Sequence, residues 1–338
     1  MSHLILTGAA GLVGSHVLRH VLTETGDTIA CPVSFRHRGL PARITSALDD
    51  HPEWWERVEI VHCDLSAPID KLSFKALGGD RCDYLLNVAS ESHVDRSISD
   101  PVPFVTNNVS LVLNVLEAAR KMPQLKMLLH MSTDEVYGPA PGDYRHREWD
   151  AILPSNPYSA SKAAQEAIAI SYWRTFSVPV VLTNTMNIVA ESQDIEKMVP
   201  KAIRSILNGE PMTVHADAQG RPGSRFYLHA RNLADAWLWM IRNHAPQMYP
   251  DHDRPSRFNI VGEREVDNGE LVEMIAGILD REPLIELVDF HGARPGHDRR
   301  YALDGTLISQ AGWKAPIHFD ESLRRTVEWT VAHPEWLE

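Results

Sequence analysis

Tyr158 and Lys162 stand four residues apart in Pro157-Tyr158-Ser159-Ala160-Ser161-Lys162. On a helix that spacing places both side chains on one face. An ammonium beside a phenol lowers the phenol's pKa, which would make Tyr158 a usable base near neutral pH. Asn156 suits the N-cap of such a helix and Pro157 its first turn. A second group lies in Ser132-Thr133-Asp134-Glu135-Val136-Tyr137-Gly138. Thr133 can hydrogen-bond a substrate oxygen, and Asp134 and Glu135 are adjacent carboxyls. Two carboxyls in different surroundings can divide acid and base roles. Taken alone, either segment reads equally well as a surface helix or a polar loop.

The start of the chain supplies the context. Thr7-Gly8-Ala9-Ala10-Gly11-Leu12-Val13-Gly14 follows the apolar run Leu4-Ile5-Leu6 and opens a stretch of helical spacing. Gly8 permits a tight turn, Gly11 lets the backbone approach a diphosphate, and Gly14 lets helix and sheet pack closely. The helix N-terminus then offers free N–H groups to the anion. This is a dinucleotide loop, and Lys162 then has a nicotinamide ribose to bind. The fingerprint expects an acid at the end of the second strand. Here that strand runs into Cys31-Pro32-Val33-Ser34-Phe35-Arg36-His37-Arg38, without one. Ser34, Arg36 and Arg38 suit a 2′-phosphate better than a bare ribose, so the reading favours NADP, with NAD left open. Asp64, after the third strand, is the expected partner of the adenine.

The elements that must position these groups alternate. Strands are expected near Leu4–Leu6, Thr28–Val33, Val58–Val61, Tyr84–Val88, Lys126–Met131 and Val178–Thr183. Helices are expected at Leu12–Leu22, Val109–Arg120 and Pro157–Phe176. Alternating strands and helices imply a doubly wound parallel sheet covered on both faces, a Rossmann-type α/β fold. After residue 185 the spacing shortens. Helices are expected at Lys197–Leu207, Leu233–Asn243 and Leu271–Leu279, with strands at Met212–His215 and Phe258–Val261. The expected division is residues 1–185 for the cofactor and 186–338 for a smaller mixed α/β substrate domain, with about 225–258 returning to the first.

The 338 residues are 43% hydrophobic and 23% charged, which is globular composition. The formal net charge of −12 argues against nucleic-acid or anionic-membrane partners. Cys31, Cys63 and Cys82 are odd in number and show no metal-ligand spacing, so they read as reduced thiols. No metal is expected among the 17 scattered histidines. With no basic leader and no long apolar run in view, the reading is a soluble cytoplasmic protein.

Five segments together resemble the dTDP-glucose 4,6-dehydratases, extended short-chain dehydrogenase/reductase proteins that act on nucleotide sugars. They are Thr7–Gly14, Glu91-Ser92-His93-Val94-Asp95-Arg96-Ser97, Ser132–Gly138, Tyr158–Lys162 and Arg294-Pro295-Gly296-His297-Asp298-Arg299-Arg300-Tyr301. The resemblance runs from about residue 2 to about 330. The glycine loop and the Tyr/Lys pair mark the superfamily; the Thr-Asp-Glu triplet and the Arg294–Tyr301 segment mark the dehydratase branch. The resemblance implies a tightly held nicotinamide cofactor and a redox-neutral dehydration giving a 4-keto-6-deoxy sugar. Tyr158 would take the C4 hydroxyl proton, with Thr133 steadying that oxygen. Glu135 would remove the C5 proton, and Asp134 as an acid would protonate the departing C6 hydroxyl.

On the same resemblance the cofactor cradle extends to Ala10, Leu12, Val13, Leu65, Val88, Ala89, Ser90 and Thr106. Ser92, Asn187, Lys197, Arg225, Asn259, Arg294 and His297 would line the nucleotide-sugar pocket, and the protein would be a homodimer through Val109–Arg120 and Pro157–Phe176. Guanidiniums at Arg225 and Arg294 are chemically suited to a diphosphate. The chain departs from the family at Val33, at Asn187-Ile188-Val189-Ala190-Glu191 and at Phe226, where an acid usually follows the substrate arginine. An epimerase or decarboxylase of the same fold would also use the Tyr/Lys pair but would not need the Asp-Glu couple. A non-catalytic dinucleotide sensor would need none of these residues together.

Overall fold

The computed structural model describes residues 1–289 and 300–338. A seven-stranded sheet forms its centre, in the order β11 (Ser256–Ile260), β6 (Val180–Thr185), β5 (Met127–Thr133), β4 (Tyr84–Asn87), β1 (His3–Thr7), β2 (Thr28–Val33), β3 (Val58–His62), with every pairing parallel. Strand β11 arrives from much later in the chain than the other six and pairs with β6. Strand order reverses between β1 and β4, the crevice where open α/β sheets bind ligands.

Both sheet faces are covered, as a parallel sheet requires. On one face α1 (Leu12–Glu24) and α8 (Ala230–Asn243) pack together, burying Val17, Leu18, Val21, Leu233 and Trp237 against Leu4, Leu6 and Leu129. On the other, α5 (Pro101–Ala119) and α6 (Pro157–Phe176) bury Val112, Val115, Leu116, Ala169 and Trp173 against Ile5, Leu85 and Leu128. Helix α5 is long and apolar enough to cross a membrane by length and composition, but here it lies along α6 with 44% of that window buried.

The remaining chain builds a second cluster. Strands β8 (Pro211–Ala216) and β13 (Leu284–Asp289) pair in parallel. Helices α7 (Met198–Asn208) and α9 (Asn268–Leu279), with a last helix at Phe319–Ala332, bury Val199, Ile203, Leu271, Ile275 and Leu323 beside them. None of the four apolar residues of β13 is buried, so the strand lacks an inward-facing apolar run; Leu284 and Leu287 are both about half exposed. The three cysteines are buried free thiols, and burial pushes Cys31 and Cys82 up to about 12.

Two boundaries bear on the site. The expected strand ended at Met131, but β5 continues through Ser132 and Thr133, which pair with Asn184 and Thr185 of β6. Asp134–Tyr137 then forms a 3-10 turn. Helix α6 begins where expected. Asn156 Oδ1 accepts the Ser159 N–H at 2.9 Å and Ser159 Oγ accepts the Asn156 N–H at 3.2 Å, a reciprocal cap followed by Pro157.

Candidate active site

The carboxyl ends of β1, β2, β4 and β5 open into one cleft of about 720 Å³. Gly8, Ala10, Gly11, Leu12, Val13 and Gly14 form its floor. Gly8 has φ of +76°, and a Cβ there would fall 2.9 Å from the Ala89 nitrogen. A Cβ on Gly14 would sit 2.0 Å from the Gly8 carbonyl oxygen, so helix and turn can approach only without one. A Cβ on Gly11 would touch only that oxygen, at 3.2 Å, and would otherwise fill the cleft. Helix α1 carries no side-chain cap and no acid in its first turn, so its N–H groups stay free for an anion. The cradle fits a dinucleotide diphosphate. Thr7 Oγ1 braces it, accepting the Val88 and Ala89 N–H groups at 3.1 and 3.0 Å while donating to Asn87 Oδ1 at 2.7 Å.

The other expected cofactor residues divide. Ser34, Leu65, Val88, Ala89 and Ser90 line the cleft. Thr106 does not: it is exposed on α5, and the residue facing the cleft one step on is Asn107. The helix turns by about 100° per residue, so one position decides the face. Arg36 pairs with Asp64, which also accepts the Ser66 N–H and hydroxyl at 3.0 and 2.8 Å. Arg38 pairs with Glu196 at 2.6 Å and Asp194 at 3.3 Å. The two arginines read as phosphate ligands are therefore each held by carboxylates.

Across the cleft, Thr133, Asp134, Glu135, Tyr158 and Lys162 all line the wall. Thr133 Oγ1 donates to Asp134 Oδ1 at 2.7 Å. Asp134 is buried, and its Oδ2 has no hydrogen-bond partner among the described residues. Burial, reinforced by the neighbouring Glu135 charge, pushes the Asp134 carboxyl up to about 7. It is thus an acid that keeps its proton near neutrality. Glu135 is held differently: Asn156 Nδ2 donates to its Oε2 at 3.2 Å, so the residue that caps α6 also aims this carboxylate.

Lys162 and Tyr158 depart from the expected coupling. Lys162 Nζ donates to the Met131 carbonyl at 2.7 Å and to Gln165 Oε1 at 2.6 Å. Burial pulls its ammonium down to about 7. The Tyr158 phenol lies well above its ordinary range, because it is buried and faces Glu135 and Asp134. Two nearby carboxyls and desolvation outweigh the lysine, whose hydrogen bonds go elsewhere.

On the substrate side Ser92, Asn187, Lys197 and Arg225 line the cleft. Lys197 Nζ donates to the Ser92 carbonyl at 3.5 Å, and its ammonium is pulled down by burial while Glu135 opposes that. The Arg225 guanidinium lies 4.6 Å over the Tyr301 ring. Asn259 is placed apart from these residues. It has no exposed surface, its Nδ2 donates to the carbonyls of His146 and Asp304 at 3.0 and 3.1 Å, and it does not line the cleft. It ties the loops of His146 and Asp304 to β11. Phe226 is buried among Val136, Tyr137, Met186 and Tyr301. Arg294 and His297 lie outside the described residues. Sequence reading missed Asn156 as a partner of Glu135, although its place as the cap was legible. It also missed Asp194 and Glu196, because nothing local announces which arginine a distant acid will meet.

A nicotinamide-dinucleotide fold with a Tyr/Lys pair defines a class, and the chain belongs to it: the NAD dependent epimerase/dehydratase family, whose model matches residues 4–287. Within that family the chain is similar to dTDP-glucose 4,6-dehydratases. It is 31% identical to the dTDP-glucose 4,6-dehydratase of Escherichia coli, over 99% of this chain and 94% of that one. It is 33% identical to the dTDP-glucose 4,6-dehydratase of Neisseria gonorrhoeae, over 97% and 95%. Among solved structures, DesIV, a dTDP-glucose 4,6-dehydratase from Streptomyces venezuelae with NAD bound, superposes with a TM-score of 0.84. That pair is 27% identical and covers 99% of this chain and 100% of the other.

Proposed function

We propose that this chain is a nucleotide-sugar 4,6-dehydratase acting on an NDP-hexose of the dTDP-glucose kind and releasing the 4-keto-6-deoxy sugar. The observation that carries the reading is the unlike pair of carboxyls beside Tyr158. Asp134 is buried and keeps a proton to about pH 7, while Glu135 is aimed by Asn156 and faces Lys197. Water loss across C5 and C6 needs one base for the carbon acid and one acid for the leaving hydroxyl. An epimerase needs neither.

In this reading Tyr158 takes the C4 hydroxyl proton and Thr133 holds the oxygen as it becomes a carbonyl. The ketone acidifies C5–H, Glu135 takes that proton, and Asp134 gives its own to the departing C6 hydroxyl. The glycine loop and Lys162 would hold the cofactor, which when bound supplies a hydride acceptor and a positive charge and is regenerated within the cycle. A phenol as high as that of Tyr158 yields its proton only when charges around it change. The proton on Asp134 already removes one of the two negative neighbours that hold it up.

For the cofactor we infer NAD, against the NADP reading of the second strand's basic tail. A 2′-phosphate there would meet Asp64, Asp194 and Glu196 as well as Arg36 and Arg38. The Streptomyces venezuelae relative has NAD bound. We assign residues 1–185, with 225–258 returning, to cofactor binding and 186–338 to the sugar nucleotide. A cytoplasmic homodimer through the outer faces of α5 and α6 completes the reading. Val102, Leu113 and Phe176 supply exposed apolar surface there, at 74%, 40% and 44%.

The test is to incubate the protein with dTDP-glucose, and in parallel with UDP- and GDP-glucose. The expected product has lost one water and absorbs in alkali as a 4-keto sugar. An isomer of unchanged mass overturns the reading. In single-turnover work Glu135→Gln should form reduced cofactor and hold it longer than wild type.

A further inference from the structure

One buried polar group near the site is left unused by the chemistry above. Glu166 and Asn184 have no exposed surface and Arg257 is 3% exposed. Arg257 Nη2 donates to Glu166 Oε2 at 2.6 Å. Its Nη1 donates to the Glu148 carbonyl at 2.8 Å and to the Tyr137 hydroxyl oxygen at 3.3 Å. Asn184 Nδ2 donates to Glu166 Oε1 at 2.7 Å and to the Thr133 carbonyl at 3.0 Å. The Trp149 ring covers the guanidinium at 4.3 Å.

The partners come from every element that carries the proposed chemistry. Glu166 sits on α6, one turn beyond Lys162 and two beyond Tyr158. Thr133 and Tyr137 bound the turn that holds Asp134 and Glu135. Arg257 is on β11 and Asn184 on β6. A buried ion pair adds little stability over an apolar pair of the same volume, but losing one partner is costly. Its directional bonds do what apolar packing cannot, which is to fix the turn against the helix in one register.

We propose that the Glu166–Arg257 pair, with Asn184, is a positioning bracket for the dehydration: it locks the Thr133–Tyr137 segment against α6 and sets a carboxylate one helical turn from Lys162. The inference rests on the dehydratase reading for its kinetic part only. Burial draws Lys162 down and Glu166 opposes that, so the bracket also helps keep the lysine charged. Among the described residues, the titratable and charged groups that bear on Lys162 are Tyr158 and Glu166 on its own helix and His130 on β5, on which Arg257 of β11 also acts. His130 stays neutral, its imidazole held well below the usual range by burial, Lys162 and Arg257.

Three variants test this: Glu166→Gln, Arg257→Met and the apolar pair Glu166→Leu/Arg257→Met. Folding is checked by circular dichroism and melting. With dTDP-glucose, each should lose about tenfold or more in kcat while KM changes less than about threefold, the pattern of lost transition-state positioning. Nitrogen NMR of labelled lysine should show the Lys162 titration midpoint moving down in Glu166→Gln and up in Arg257→Met. A pair that only stabilised the fold would leave kcat of the folded variants unchanged. If a single variant fails to fold, the apolar pair, expected to fold, carries the kinetic test. Wild-type kcat in the folded apolar pair, or an unmoved Lys162 midpoint in Glu166→Gln, overturns the bracket. If wild type makes no 4-keto sugar, the functional reading falls, and the lysine titration still decides the bracket.

Discussion

Asp134→Asn should stabilise the protein above neutral pH while removing its dehydratase turnover. The Asp134 carboxyl ionises at about 7 in the fold and near 3.8 when exposed. Below pH 3.8 both states carry the proton, and the buried acid costs nothing extra. Between 3.8 and 7 the unfolded chain has released the proton and the fold has not, so the unfolded state binds fewer protons and stability falls as pH rises. The loss is complete once pH passes about 7. Each pH unit is worth about 1.36 kcal/mol, so the span corresponds to about 4 kcal/mol. Asn has no proton to lose, and its carbonyl oxygen can still accept from Thr133 Oγ1 as Asp134 Oδ1 does at 2.7 Å. Urea unfolding of variant and wild type at pH 4.5 and pH 8 isolates this group with its coupling to Glu135, because titrations elsewhere cancel in the difference. The variant's advantage should grow by several kcal/mol between the two. A difference that stays flat refutes the raised pKa and, with it, Asp134 as the resident acid.

Three further outcomes follow from the same geometry. Tyr158→Phe keeps the ring that meets Phe104 edge-on at 6.3 Å but removes the hydroxyl, so turnover should fall about 10²–10⁴-fold with the fold retained; a loss under about tenfold contradicts the assignment. Wild type should bind NAD more tightly than NADP by calorimetry, and Arg36→Ala/Arg38→Ala should leave that order unchanged; a preference for NADP that the variant abolishes restores the phosphate-binding arginines. Asn259→Ala leaves the His146 and Asp304 carbonyls without their buried donor, so stability should drop by about 1–3 kcal/mol with KM for the sugar nucleotide unaltered; a raised KM in a stable variant would return Asn259 to the pocket.

What the sequence determined by itself was whatever depends on neighbours along the chain. Glycines at 8 and 14 dictate a tight strand-to-helix turn that no side chain could share, so that turn was legible before any fold. The cap at Asn156 and the four-residue step from Tyr158 to Lys162 are likewise local, and α6 begins as they required. The alternation of strands and helices gave the parallel sheet, because short apolar runs of strand length must be covered on both faces. Tertiary structure decided which charge meets which. Arg36 and Arg38 carry the same sequence signal whether they await a phosphate or face Asp64, Asp194 and Glu196. Asn259 and Asn187 look alike in sequence, yet one is sealed behind two carbonyls and the other faces the cleft. The acid and base roles of Asp134 and Glu135 came from the family resemblance; what waited for the fold was the difference in their surroundings. Two adjacent carboxyls are chemically near-equivalent in an open chain; burial of one, and an amide aimed at the other, set them apart.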